Sequence, residues 1–520
     1  MTSTTKTRGS GLSDMLLELA SPDLYRANPF RVLGLPVDAS VRDVKRREQE
    51  LAIERKTGAR GEARSCVLPL VPPPDYHAIR DAVHSLMDPE ERLLHEIFWF
   101  WPCRRGEAAE EDEGIGALLR GDYQGAISHW ERLAAGNQDG AVSAHNLALL
   151  SHLLALDFEH SAARRTLTEK EQGRKDSYWR VAYWHWGACL SHKDFWQRLS
   201  RRAEELDDPR LSSRMVDALR EALAVAVLLT NARQAVVEAE KGNAPQAVRH
   251  VEFIRQAKLP ADAKDRALCR AAAQVRDRIR QASSAAEGEA NVTPDQGYEI
   301  AMRLMQQMQR PLSVLDTLFP ENHTLRQAAH DEVATAVLRM QIGYGKATDD
   351  MNRSAELLEK ALLMVEGVAA RQRLTENLEI VKGNLVYGIC WFCGRHPKDE
   401  GAKVAVAMHG NVTVENDWAN LRRVRRWNSI KIEVPRCKGC RTAHVLGSLF
   451  VVAGAVVGGL LGALGDVLGF LIGAGAGLGL GYGAYRAAFS GTKRGSAKNQ
   501  FQAVKEKLEA GWHFGEKPPS

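Results

Sequence analysis

The chain has 520 residues, enough by length for three or four domains and for more than one buried core. Its 70 basic and 65 acidic side chains leave a formal charge of +5. Nothing about the whole molecule therefore argues for a nucleic-acid binder, and a polyanion site would have to be a local patch.

Residues 1–14 are Ser/Thr/Gly-rich and lack the apolar stretch of a secretory signal, so they are expected to be disordered and not a leader. Residues 15–105 read as a compact helical unit. Within it, 28–49 run NPFRVLGLPVDASVRDVKRREQ, in which Ser40 with Asp43 three residues on forms a helix-starting capping box. The later run 79–99, IRDAVHSLMDPEERLLHEIFW, reads as one further helix. Together these runs resemble the opening and third helix of J domains, the modules that stimulate Hsp70 ATPases. That family carries His-Pro-Asp in the loop between its long helices. Here the nearest equivalent is Pro73-Pro74-Asp75; the histidine is missing, and His77 lies two residues late. The resemblance implies a J-like fold in which Hsp70 stimulation is lost or severely weakened.

After a charged stretch from Arg104 to Glu113, residues 106–385 are helical by pattern: rich in Ala, Leu, Arg, Glu and Gln, with apolar residues three and four apart. The Ala/Ser/Glu/Gly-rich stretch 282–294 is expected to break this region into subdomains. One pattern recurs. Gly121-Asp122 leads into Ala126 and Trp130, Gly242-Asn243 into Ala247 and Phe253, and Met351-Asn352 into Ala355 and Leu358. A turn pair, a small residue and a bulky one a turn later is the packing grammar of stacked helical hairpins. The first copy resembles tetratricopeptide repeats, which implies a protein-binding surface on residues 114–385. Trp179, Trp184, Trp186 and Trp196 are expected to pack inside this array.

Of eight cysteines, Cys66, Cys103, Cys189 and Cys269 are solitary, whereas Cys390, Cys393, Cys437 and Cys440 form two CxxC pairs separated by 43 residues. Two residues between thiolates let both face one cation, and two such knuckles complete a closed tetrahedral set, which points to structural zinc. A redox dithiol and an iron–sulfur cluster are the rival readings. Gly394 and Gly439 sit where knuckle turns need backbone freedom, and β-prone runs between the pairs would brace them, so 386–444 resembles a zinc ribbon. His396, His409 and His444 could replace a thiolate, but four cysteines already fill the set. The module also carries Arg422, Arg423, Arg425, Arg426 and Trp427, a cluster suited to anionic lipid headgroups or to nucleic acid, the lipid reading being preferred.

Residues 445–485 hold one charged side chain, Asp466, and are long enough for two bilayer crossings with a turn at Gly465-Asp466. Gly454, Gly458 and Gly462, then Gly465, Gly469, Gly473, Gly477 and Gly481, recur every four residues within each half and allow close helix packing or self-association in lipid. Basic residues flank both ends, so a hairpin in an inner (cytoplasmic) membrane with both termini cytosolic is expected, followed by a basic cytosolic tail, 486–520. The sequence contains no P-loop, nucleophile elbow, HExxH or dinucleotide turn. The expected fold is mainly α: a J-like bundle, a TPR-like array, a small β zinc-ribbon-like module and a transmembrane hairpin. The expected function is a non-enzymatic, membrane-anchored scaffold or chaperone-like adaptor for protein partners. A membrane-perturbing effector acting through the glycine-rich hairpin and a nucleic-acid-binding zinc protein are the alternatives.

Overall fold

A computed structural model describes residues 11–57, 67–135, 140–417, 422–462, 476–479, 493 and 495–518. The chain forms two compact units: residues 1–284 with 304–333, and residues 285–303 with 334–520. It is mostly helical, with one small three-stranded sheet.

The first unit begins earlier than the sequence suggests. Helix α1 (Leu12–Leu19) buries Leu12, Leu16 and Leu17, so residues 12–14 belong to the fold. Helix α2 (Pro29–Leu33) is capped by Asn28, whose oxygen accepts the Phe30 N–H at 3.0 Å. The Asn28 amide then donates to the carbonyls of His95 and Phe98, both at 3.1 Å, tying α2 to the end of α5 (Pro89–Ile97). Helix α3 (Val41–Thr57) starts with the expected capping box: the Ser40 hydroxyl accepts the Asp43 N–H, and the Asp43 carboxylate accepts the Ser40 N–H at 3.0 Å. The single helix expected over 79–99 is two, α4 (Tyr76–Met87) and α5. Asp88 takes an extended backbone and caps Glu90 and Glu91, and Pro89 at the first helical position has no N–H to continue α4.

Residues on both sides of position 105 share one core. Phe100 stacks on Trp130 and Trp101 on Phe195, with ring centroids 5.8 and 5.9 Å apart. Further on come α6 (Glu113–Leu119), α7 (Tyr123–Ala134), α8 (Gly140–Ala162), α9 (Glu169–Ser191), α10 (Lys193–Glu205), α11 (Ser213–Lys241) and α12 (Ala244–Gln256). The recurring turn pattern is realised locally. Gly121 and Gly242 take left-handed conformations at φ 76° and 84°, Asp122 caps α7, and Ala126, Trp130, Ala247 and Phe253 are buried. Trp179, Trp186 and Trp196 lie in the core; Trp184 does not, and is exposed beneath the Lys258 ammonium.

Two core histidines make the first unit sensitive to acid. His152 Nδ1 accepts the Trp186 indole N–H at 3.3 Å and lies 3.0 Å from the Tyr25 hydroxyl; Nε2 faces the Thr230 hydroxyl, which donates to Val227 O. An imidazolium would point a second donor at Trp186. Burial accordingly lowers the His152 pKa from 6.5 to about 3, and that of His145 to about 4. Both folded values lie below the unfolded one, so this stability is present above pH 6.5, is lost progressively as pH falls below it, and is gone once pH has passed through about 4 for His145 and about 3 for His152. Urea unfolding should show the unit weakened by roughly 2 kcal/mol per histidine at pH 5 relative to pH 7. An unchanged midpoint would contradict neutral burial.

Helix α13 (Ala261–Val292) runs through most of the stretch 282–294; the interruption falls at the end of that stretch, at Thr293 and the short 3-10 turn Pro294–Gln296. Alanine is the best helix former, so composition that looked soft propagates until proline removes an N–H. Together with α14 (Gly297–Leu318) and α15 (Thr324–Thr348), α13 contributes residues to both units.

The second unit continues with α16 (Met351–Met364), capped by Asp350 with Ala355, Leu357, Leu358 and Ala361 buried, and α17 (Val368–Gly388). A ribbon follows: β1 (Val404–Asp417) pairs antiparallel with β2 (Arg422–Val434), with a bulge between Gly410 and Thr413. Helix α18 (Lys438–Gly462) leaves the ribbon's base. The chain then closes with α19 (Gln502–Glu509) and β3 (His513–Phe514), which pairs with β1. Residues 495–518 of the basic tail therefore fold onto the ribbon module. Phe501, Val504 and Trp512 share a core with Cys390, Phe392, Met408 and Val434.

Candidate metal centre

The ligand-bearing knuckles are built by backbone hydrogen bonds. Cys390 N–H donates to His396 O at 2.9 Å and Gly394 N–H to Cys390 O at 2.8 Å, closing a tight turn in which Gly394 has φ 65°. Trp391 N–H donates to Pro435 O at 3.0 Å, bringing the two knuckles together. The second knuckle departs from expectation: Gly439 and Cys440 lie in the first turn of α18, so the helix itself presents Cys440.

The four Sγ atoms of Cys390, Cys393, Cys437 and Cys440 all lie within 4.8 Å of one another. Cys393 and Cys437 are 3.9 Å apart, too far for a disulfide and close to the ~3.8 Å edge of a tetrahedron with metal–sulfur bonds of about 2.3 Å. Burial would raise the Cys393 thiol, but N–H groups of Arg395 and His396 and the His396 ring hold it down to about 6. Burial and the neighbouring Cys390 push the Cys437 thiol up. Packed thiolates without a cation oppose one another's ionisation, which is the electrostatic condition a bound metal reverses. The set could hold a metal ion and is compatible with zinc.

Two of the three nearby histidines face backbone carbonyls and the third faces a thiol of the set. His409 Nδ1 faces Gly515 O at 3.0 Å, and His444 Nε2 faces Lys493 O at 2.9 Å; His396 sits 3.5 Å from Cys393 Sγ. Periodicity did not reveal Lys493. Its N–H donates to Phe392 O at 2.8 Å and its ammonium lies 3.5 Å from the Trp391 ring centre, while Trp391 donates its indole N–H to Ala497 O. The only sequence signal for this return was the amphipathic spacing of Phe501, Val504 and Leu508.

Other predicted positions are distributed as follows. Asp75 is the N-cap of α4, accepting Ala78 N–H at 2.8 Å, directly preceded by Pro73 and Pro74. Residues 422, 423, 425, 426 and 427 lie on β2; Arg425, Arg426 and Trp427 are exposed, and the side chains of Arg422 and Arg423 lie outside the described residues. Gly454, Gly458 and Gly462 are on α18, and Gly477 is in a short helical stretch, 476–479. Gly465, Asp466, Gly469, Gly473, Gly481 and Cys66 lie outside the described residues.

Three helical segments among the described residues are long and apolar enough to cross a membrane: Gly140–Ala162, Met215–Lys241 and Lys438–Val457. The first two are 83% and 78% buried within the protein and are core helices; the third is only 19% buried. Leu449, Val452, Val456 and Leu460 of α18 are each more than half exposed. Comparison with known proteins supplies no relative: no family model matches the chain, and neither does any curated protein or solved structure.

Proposed function

We propose that the protein is a membrane-tethered adaptor whose helical units face the cytosol and whose four cysteines hold a structural zinc ion at the root of the anchor. One observation carries the reading: the apolar stretch departs from and returns to the same place. Cys440 and His444 stand at the start of α18, and Lys493 closes on His444 and Phe392. A segment whose two ends are hydrogen-bonded together must cross a bilayer an even number of times. That topology leaves both flanks, and the thiolates, on one side, which the basic flanks favour as cytosolic. A closed four-thiolate set leaves no open coordination position, so the zinc would brace the clasp and not catalyse.

The rest of the chain supports binding and not chemistry. The order of α2, α3 and α4, with Asp75 after the intervening loop, suits a degenerate J-like unit whose surviving aspartate serves as a helix cap. The hairpins that turn at Gly121-Asp122 and Gly242-Asn243 suit a TPR-like surface for protein partners. Fractionation of the full chain and of a variant lacking 445–485 tests the anchor, with metal analysis of both. Membrane residence that requires the segment, with about one zinc per chain, is the expected result. A chain that is soluble with the segment intact would sink the reading.

A further inference from the structure

In the first unit, α10 borders a cavity of about 470 Å³, a volume within the range of small-molecule sites. Val37, Trp101, Pro102, Ala141 and Val142 give it apolar walls. Four arginines and five carboxylates also line it, a balance that favours neither a polyanion nor a polycation. Most of these charges are already committed. Glu96 binds Arg202, which also reaches Glu205 at 3.2 Å, and Arg198 donates to the carbonyls of Pro102 and Cys103. Asp38 accepts the Ala109 N–H at 3.0 Å, and Glu107 accepts the Arg104 N–H at 3.3 Å. Three charges are left over. The side chains of Arg105, Arg201 and Asp194 are exposed and make no hydrogen bond or ion pair among the described residues. Opposite charges thus line one cavity without pairing with each other.

We propose that this cavity binds a dipeptide with free termini, its ammonium on Asp194 and its carboxylate held by Arg201 and Arg105. The spacing selects the length. Asp194 and Arg201 are seven residues apart on α10, hence on one face, two turns and about 10 Å apart at their Cα atoms. A free amino acid holds its two charges within about 3.5 Å, whereas an extended dipeptide separates its termini by about 7 Å. The aspartate and arginine side chains span the remainder. Arg198, midway along that face, is pinned to backbone carbonyls with its guanidinium over the Trp101 ring, so it shapes the wall and leaves the carboxylate to the free arginines. The apolar walls take the dipeptide's side chains out of water. All these residues belong to the first unit, so the site is independent of the anchor.

The test is calorimetric titration of the purified full chain with Leu-Leu, Phe-Ala and Ala-Ala, each also as its N-acetyl and C-amide derivative. At least one free dipeptide should bind with a Kd below about 1 mM. Blocking either terminus should weaken it about tenfold, the loss expected for one charged hydrogen bond. Asp194→Asn should weaken the free dipeptide to the level of its N-acetyl form while leaving that form's affinity unchanged. Arg201→Gln should do the same for the C-amide form. Arg210→Gln, outside the cavity, should leave all affinities as they are. Absence of binding by all three free dipeptides overturns the proposal. So does equal binding of a free dipeptide and its N-acetyl form, which would make the cavity a plain carboxylate site.

Discussion

Replacing Cys437 with serine is expected to strip the metal from the chain and unfold the module around it. Few residues hold this module together apart from the four cysteines. Its core is Phe392, Val406, Met408, Val434, Phe501, Val504 and Trp512, with the thiols at the centre. A core this small rarely sustains a fold alone, whereas a four-thiolate zinc site contributes about 10–16 kcal/mol to small domains. A serine hydroxyl stays protonated at neutral pH and is a poor ligand, so three thiolates would remain around an incomplete shell. Metal content should fall from about one ion per chain to near none. Trypsin should then cut within 390–440 under conditions that spare the wild type. Cys269→Ser, at a part-exposed site in the other unit, should change neither readout. A Cys437→Ser protein that keeps both metal and protease resistance would show that the cluster is not the ligand set. A coloured, iron-containing wild type would replace zinc with a cluster.

The cysteine pairs were readable because their information is local: two residues between thiols and a left-handed Gly394 make a knuckle wherever the chain goes. The capping box at Ser40 and the turns at Gly121 and Gly242 were legible for the same reason. What escaped was long-range. Trp512 packs over Gly410, where a Cβ would lie 2.5 Å from the ring, and no periodicity near residue 512 announces a partner a hundred residues earlier. The return of Lys493 to Phe392 is equally invisible in composition. Charges misled in another way. Carboxylates on helices are usually solvated, yet Glu96 and Glu159 are buried, because Arg202 and Lys175, which neutralise them, come from other helices and, for Glu96, join Arg92 of its own helix.

Glu96 should prove the costliest single position in the first unit. It is fully buried on α5, and its two oxygens accept Arg92 Nε at 2.8 Å and Arg202 Nε and Nη2 at 2.7 and 2.8 Å. Arg92 follows the Asp88-Pro89 cap within the run 79–99; it also donates to Ala39 O at 2.7 Å and Val37 O at 3.2 Å, with its guanidinium over Phe30. Arg202 comes from α10, and its hydrogen bonds to Glu96 hold its proton more tightly than usual. Glu96→Ala leaves two guanidiniums facing each other with the compensating charge gone. Removing one member of a buried ion network costs about 3–5 kcal/mol, comparable with the whole stability of many domains. Glu205→Ala removes only the exposed second partner of Arg202 and should cost less than about 1 kcal/mol. Because the triad joins the N-terminal helices to α10, urea unfolding followed at the N-terminal helices and at α10 should shift together in Glu96→Ala. Separate transitions would mean that the N-terminal helices fold as an independent domain, with Arg202 a peripheral contact. A coincident shift would mean that α10 and the N-terminal helices form one cooperative fold.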